Sequence, residues 1–151
     1  MAYTGDHLRA EYALLQGHYE AFDARALTIK SWAVPLLSAG LGVGIRDSSL
    51  GLLFATALAS MCLWWLEALW KNFQYCYIER IDLLESYFRG DTLEAEIKPF
   101  QIRVSWMHAW TRWFRSPKAL LERCKQPFVF LPYLPIFISA VAAGIYIACK
   151  P

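Results

Sequence analysis

Long apolar blocks alternate with charged, amphipathic stretches along this chain. The central block, residues 48–66, holds 19 positions without a formal charge. An α-helix needs about 20 such residues to cross the hydrocarbon core of a bilayer. Residues 67–89 are charged but contain neither glycine nor proline before Gly90. The pattern therefore predicts a transmembrane helix that continues, without a stop signal, as a long cytosolic helix.

Two further apolar blocks flank this helix. Residues 31–45 would make about 22 Å of helix, which is short for a span unless the bilayer thins locally. Residues 46–49 form a predicted tight turn, so the first two blocks are expected to make a helical hairpin. The third block covers residues 127–149. The fold class that follows is an all-α integral membrane protein with three transmembrane helices, at 31–45, 48–66 and 127–149.

Residues 6–30 are predicted to form an amphipathic cytosolic helix. Apolar side chains recur at alternating spacings of four and three, which is a heptad seam made of Leu8, Tyr12, Leu15, Tyr19, Phe22, Ala26 and Ile29. Charged residues, Glu11 among them, are assigned to positions off this seam. The expected packing partner is the apolar stripe of the 67–89 extension, namely Trp70, Phe73, Tyr77, Ile81, Leu84 and Phe88. Docking of another protein on this helix is the alternative.

Residues 100–125 form a second amphipathic segment, rich in tryptophan and arginine. On a helical wheel, Trp106, Trp110 and Trp113 share one face, and basic side chains lie on the other. Such a helix is typical of the membrane interface. The same tryptophan face also suits packing on the cytosolic helices, and the sequence leaves both arrangements open.

Composition and the distribution of charge predict the cellular location of the protein. The 151 residues are 57% hydrophobic and 16% aromatic, more apolar than a soluble domain of this size. Of the 15 Lys and Arg residues, thirteen precede the first block or lie between the second and third, and only Arg46 and Lys150 lie on the other side. Cytoplasmic loops carry such an excess of basic residues. We therefore expect a cytoplasmic membrane protein with its N-terminus in the cytoplasm and its C-terminus outside.

Small residues four positions apart occur in all three apolar blocks. They are Gly40 and Gly44; Gly51, Ala55 and Ala59; and Ala140, Gly144 and Ala148. Small-xxx-small stripes let helix backbones approach closely in lipid. Three spans use only part of their surface within one protomer, so we expect a homo-oligomer. The alternative is that every stripe serves packing within one chain.

One acidic residue, Glu67, lies near the predicted membrane boundary, and Lys30 is expected at a similar depth. An interfacial ion pair that locks the hairpin is one interpretation. The other places Glu67 at the cytoplasmic mouth of a cation path, as a ring of acids in an oligomer.

Signals for catalysis are sparse. His7, His18 and His108 are isolated, and no metal-binding, nucleophile or phosphate-binding motif is present. The four widely separated cysteines are expected to be reduced thiols: Cys62, Cys76, Cys124 and Cys149. We expect no enzymatic activity, no cofactor, no metal and no nucleic-acid partner. The basic middle segment suits anionic lipid headgroups better.

Residues 19–25, the following two-span hairpin and the charged helix through 79–81 together resemble the SLATT class of small bacterial membrane proteins. The resemblance covers roughly residues 6–90, and the third block and the tryptophan-rich segment depart from it. It implies a pore- or channel-forming effector of antiphage defence in the bacterial inner membrane, and it transfers no catalytic or ligand residue. The alternative function is a membrane-anchored structural or adaptor protein whose cytosolic helical bundle recruits a protein partner.

Overall fold

The structure is a computed structural model that describes residues 3–92 and 97–150, without the side chains at positions 3, 4 and 114. Within these ranges all regular secondary structure is helical, which confirms the all-α class. The elements are α1 (Tyr3–Arg46), α2 (Leu50–Tyr75), α3 (Ile78–Arg89), α4 (Ile102–Ala109), a π-helical turn (Trp110–Phe114), α5 (Pro117–Cys124), α6 (Pro127–Phe130) and α7 (Tyr133–Ala148).

Helix α1 joins two segments that the sequence pattern predicts as separate helices. The amphipathic residues 6–30 and the apolar residues 31–45 form one continuous helix that includes Pro35. No glycine or proline stands at the junction of Lys30 and Ser31 to stop the helix. Within α1, the Ser31 hydroxyl donates to the carbonyl oxygen of Thr28 (2.8 Å).

The long cytosolic extension is interrupted by one tight turn at residues 76–77, although the backbone of Tyr77 keeps α-helical angles (φ −82°, ψ −22°). Helix α2 ends at Tyr75 and α3 begins at Ile78. The amide of Tyr77 donates to the carbonyl of Gln74 (3.1 Å), a tight i→i+3 bond that replaces the α-helical one. The sequence contains no glycine or proline here. The Phe73 carbonyl, which would accept the Tyr77 amide in a continuous α-helix, accepts the Trp106 indole N–H instead (3.1 Å), and the Tyr77 ring stacks on His18 and meets Phe22. Gly90 ends α3 in the left-handed conformation, at φ 85°.

The chain divides into two compact units, to which α1, α2 and α5 each contribute. The polar unit comprises Met1–Ala24 and Trp70–Leu120, and the apolar unit comprises Arg25–Leu69 and Leu121–Pro151. The core of the polar unit is Leu8, Leu15, Ile81, Leu84 and Ile97, with Tyr12, Tyr19, Tyr77, Tyr87 and Ile102 packed against it. Leu8 and Leu15 of the heptad seam therefore pack with Ile81 and Leu84 of the 67–89 stripe, as the spacing predicts. Phe73 of the same stripe packs instead on Trp106 and Trp110.

The apolar unit centres on Leu37 of α1 and on Tyr133 and Ile136 of α7, with Leu63 and Trp64 of α2 packed around them. A short turn joins α1 to α2, where the amide of Ser49 donates to the carbonyl of Gly44 (2.9 Å). The stretches Gly5–Arg46 and Leu50–Arg89 are long and apolar enough to cross a membrane. The third block is split between α6 and α7, and α7 has only 16 residues.

Candidate functional site

Lys30 and Glu67 form an ion pair in the apolar unit. The Lys30 ammonium lies 2.6 Å from a carboxylate oxygen of Glu67, and their side chains are only 18% and 10% exposed. The same ammonium donates to the main-chain carbonyl of Phe128 in α6. One lysine thus ties α1, α2 and the third apolar segment together, and it neutralises Glu67 within the chain.

Two further hydrogen bonds connect α2 to α7 and to the end of α5. The Ser60 hydroxyl donates to the Tyr133 carbonyl (2.7 Å), and the Trp64 indole N–H donates to the Cys124 carbonyl (3.0 Å). The Cys124 carbonyl is at the C-terminal end of α5, where it has no intrahelical donor, whereas the Tyr133 carbonyl belongs to the first turn of α7. In an apolar environment an unpaired Cys124 carbonyl would cost several kcal/mol (about 4–8 in the driest reference state), so the bond from Trp64 stabilises the irregular connection after α5.

The small-residue stripes fall on different surfaces. A Cβ atom on Gly40 would lie 2.7 Å from the Thr56 hydroxyl, and one on Gly44 would lie 2.8 Å from a Leu53 methyl carbon. These two glycines therefore let α1 and α2 approach closely. Ala140 of α7 is also buried. The remaining predicted packing positions are exposed, or half-buried in the case of Gly144: Gly51, Ala55, Ala59, Gly144 and Ala148.

Within the polar unit, a buried ion pair occupies the centre of the α1–α3 contact. The Arg80 guanidinium makes two parallel hydrogen bonds of 2.9 Å to the Glu11 carboxylate. Arg80 also donates to the Lys98 carbonyl (2.8 Å), and the Phe100 amide donates to Glu11 (2.7 Å). Glu11 is fully buried and Arg80 is 4% exposed. This clamp joins α1, α3 and the segment before α4.

The predicted heptad seam leaves Glu11 out, so the clamp does not follow from it. The signal that reveals it is spacing: Glu11 follows Leu8 by three residues and precedes Leu15 by four, so it lies on the face that these leucines bury. Charges at such positions are paired when they are buried. The pairing partner, Arg80, is 69 residues away and follows only from the fold.

A second polar cluster joins α1 to the end of α2. The Lys71 ammonium lies 2.7 Å from Asp23, and the Gln74 amide donates to Asp23 (3.0 Å) and to the Tyr19 carbonyl (2.9 Å). Burial raises the pKa of Tyr19, with smaller contributions from Tyr75 and Asp23. Burial also raises the pKa of the Cys76 thiol to about 12, which keeps that thiol protonated and unreactive near neutral pH.

The three predicted interfacial tryptophans separate into two groups. Trp106 donates from its indole N–H to the Phe73 carbonyl (3.1 Å), and Trp110 has its ring centre 5.1 Å from the Phe73 ring. Trp106 and Trp110 also stack on each other, so both pack within the polar unit. Trp113 is 56% exposed. The helical wheel placed all three on one face, and the π-helical turn is the reason that they diverge.

Cysteine and histidine side chains are the other candidate metal ligands of the described chain. Across residues 3–92 and 97–150, no group of three or more His, Cys, Asp or Glu side chains is placed to hold a metal ion. Cys62, Cys76, Cys124 and Cys149 are free thiols. His108 lies 3.5 Å from Glu79 at the exposed edge of α3 and α4.

Comparison with protein-family models, curated proteins and solved structures gives no match to this chain. Its function must therefore be argued from its own residues.

Proposed function

We propose that this protein is a non-enzymatic, homo-oligomeric membrane protein that forms a pore or channel as an effector of bacterial defence. In this proposal residues 31–45, 48–66 and 127–149 each span the inner membrane, and residues 6–30 of α1 lie in the cytoplasm. The N-terminus is in the cytoplasm and the C-terminus is outside. The observation that carries the proposal is the outward apolar surface of the two span-length helices. Only 11% of the apolar window of the first and 28% of that of the second is buried within the chain.

Lipid and further copies of the chain are the natural cover for this surface. Leu36, Phe54 and Ile145 are all at least 60% exposed, and water solvates such a surface poorly. The outward face of α2 carries the stripe Gly51, Ala55 and Ala59, and nothing lies within 4 Å of a Cβ atom built on Gly51. Because the hairpin uses Gly40 and Gly44 instead, the α2 stripe remains available for a second protomer.

The Lys30–Glu67 pair changes how a pore would work. Glu67 is neutralised by Lys30 of the same chain, so an acidic ring is a poor basis for ion selectivity. The pair serves better to fix the hairpin in the geometry from which an oligomer assembles. In liposome flux measurements, Glu67→Gln is then expected to lower flux by weakening assembly. Unchanged stoichiometry with lost flux would instead indicate a direct role for the carboxylate.

Native mass spectrometry of the purified protein in nanodiscs tests the proposal. A single closed stoichiometry of four or more supports a pore, and a monomer or dimer contradicts it, because so few spans cannot line a channel. Gly51→Leu is expected to lower the oligomer number or raise the dissociation constant more than tenfold. Gly42→Leu is the matched control, since Gly42 is an exposed glycine of α1 that is also free of contacts within 4 Å.

The adaptor function remains the second candidate, because the polar unit presents apolar side chains outward. Val104 is 64% and Met107 is 43% exposed on α4. A protein partner that covers them would be retained in pull-downs by the wild-type chain and lost with Val104→Asp. A monomer in nanodiscs together with such a partner would favour the adaptor over the pore.

A further inference from the structure

A basic patch lies where α4 ends and α5 begins, formed by Arg112, Trp113, Arg115 and Lys118. All four side chains are exposed. Residues 97–121 contain no Asp or Glu, and within the described ranges no ion pair engages any of the three basic side chains. No ion pair of the described chain therefore engages the positive charge of the patch, which lies next to an exposed aromatic ring; the nearest acidic residue along the sequence is Glu122, four positions after Lys118.

The π-helical turn creates this patch. The amide of Arg115 donates to the carbonyl of Trp110 (2.8 Å), an i→i+5 bond that places an extra residue in the turn. Trp110 stays packed on Phe73, and the extra residue rotates Trp113 away from that buried face. A regular α-helix would keep Trp113 on the same side as Trp106 and Trp110. π-Helical turns of this kind are frequently found at functional sites.

Arg112 and Trp113 form an amphipathic unit within the patch. The guanidinium of Arg112 lies 4.9 Å from the ring centre of Trp113, which is cation–π distance. Tryptophan side chains are enriched at the headgroup level of membranes. A guanidinium group beside the indole ring can bind a headgroup phosphate through two parallel hydrogen bonds. The pair thus combines the two groups that a headgroup layer recognises.

We propose that this patch binds the phosphate groups of anionic phospholipids at the cytoplasmic face of the bilayer. The proposal rests on the membrane location put forward above. The choice of lipid follows from charge complementarity and from chain connection, because only the end of α5 and residues 125–126 separate Lys118 from α6, where the third apolar segment begins. Arg112, Arg115 and Lys118 hold the phosphates, and Trp113 enters the boundary between headgroups and acyl chains.

The test is a lipid titration of the full chain in detergent, followed by native mass spectrometry with phosphatidylglycerol and phosphatidylcholine as probes. Wild-type protein is expected to prefer phosphatidylglycerol. Each arginine near an anionic surface changes the affinity about fivefold, so Arg112→Ala/Arg115→Ala is expected to weaken phosphatidylglycerol binding roughly 25-fold. The matched control is Arg9→Ala/Arg103→Ala, which removes two exposed arginines of the same unit. That control is expected to change the affinity less than threefold.

Hydrogen exchange supplies a second readout that does not depend on counting lipids. In nanodiscs, residues 110–118 of the wild type are expected to exchange more slowly with phosphatidylglycerol present than with phosphatidylcholine alone. Trp113→Ala should remove most of this difference. Equal losses in the patch variant and the control variant, or no loss in either, would overturn the proposal.

Other outcomes separate this inference from the proposed function. Co-purification of RNA or an acidic protein that depends on Arg112 and Arg115, without lipid preference, would assign the patch to another partner and overturn the lipid proposal. The same mass spectra report oligomer number. If the Arg112→Ala/Arg115→Ala variant loses the lipid preference but keeps its oligomer number, the result supports the patch independently of a pore. If the wild type is a monomer that still prefers phosphatidylglycerol, the result contradicts only the pore.

Discussion

Glu11 and Arg80 form the most deeply buried charge pair of the described chain, and their energetics follow from their burial. Each carboxylate oxygen of Glu11 accepts at least one hydrogen bond, and Arg80 also donates a hydrogen bond to the Lys98 carbonyl. A satisfied bidentate pair offsets much of its desolvation cost, whereas either partner alone would remain as an uncompensated charge. The clamp therefore holds the polar unit in one arrangement rather than adding much net stability.

Glu11→Gln should destabilise the polar unit strongly because it leaves the Arg80 charge buried and unpaired. The expected cost is about 3–5 kcal/mol. Hydrogen exchange of residues 6–24 measures it, since protection of α1 amides reports the free energy of opening this unit. Glu20→Gln, at an exposed position of the same helix, is expected to leave protection unchanged.

A double variant separates charge from packing at this site. Glu11→Met/Arg80→Met replaces the pair by apolar side chains and should recover most of the protection lost in Glu11→Gln. If the double variant were as unstable as the single one, the clamp would owe its importance to its bonds with residues 98 and 100 rather than to charge neutralisation.

At the scale of elements, α1 and α2 approach closely in the apolar unit because the contact positions on α1, Gly40 and Gly44, are glycines. A Cβ atom on Gly44 would lie 2.8 and 2.9 Å from two Leu53 carbons and 3.4 Å from the Leu53 amide nitrogen. Leu53 is itself 1% exposed, so it has little room to move. Gly40 meets mainly the hydroxyl of Thr56, whose oxygen is held by its hydrogen bond to the Leu52 carbonyl (2.8 Å).

Gly44→Ala is expected to destabilise the hairpin by about 1–3 kcal/mol, because the added methyl group overpacks the contact with Leu53. Gly42→Ala adds the same atom to an open surface and should be neutral or stabilising by up to about 1 kcal/mol through helix propensity. Unfolding by SDS in mixed micelles, followed by circular dichroism, measures both. Equal effects of the two variants would show that helix propensity, and not the helix contact, sets the stability.

At the scale of the whole molecule, the proposed topology depends on whether residues 127–149 cross the bilayer. Residues 133–148 form about 24 Å of helix, shorter than the hydrocarbon core, and only the few residues of α6 extend them. The asymmetry of thirteen basic residues against two still favours a crossing, because arginine and lysine resist translocation.

Labelling of Cys149 with a membrane-impermeant maleimide decides the topology. Cys149 is exposed, and it is expected to react in intact spheroplasts of a strain that expresses the protein. Cys76 serves as the internal control, because its thiol is buried with a pKa of about 12 and should react only after denaturation. Reaction of Cys149 only after the membrane is permeabilised would place both termini in the cytoplasm and reduce the spans to two.

The sequence alone determined the helical class, the apolar blocks and the pairing of the α1 seam with the 67–89 stripe. These features depend on local periodicity and on where charge is absent, and both can be read from neighbouring residues. The expected proximity of Lys30 and Glu67 follows in the same way, since each residue stands at the end of an apolar block.

The tertiary structure decided what depends on distant partners. It buried Glu11 against Arg80, interrupted the 67–89 extension at Cys76 and Tyr77, and turned Trp113 away from Trp106. The ion pair joins residues far apart in the chain, and the turn after α2 accompanies contacts with distant side chains rather than a helix breaker. Trp113 turns away at a π-helical turn that the helical wheel does not anticipate. It also assigned Gly44 to the hairpin and Gly51 to the outer surface, because identical small-residue spacings acquire different roles only when the helices pack.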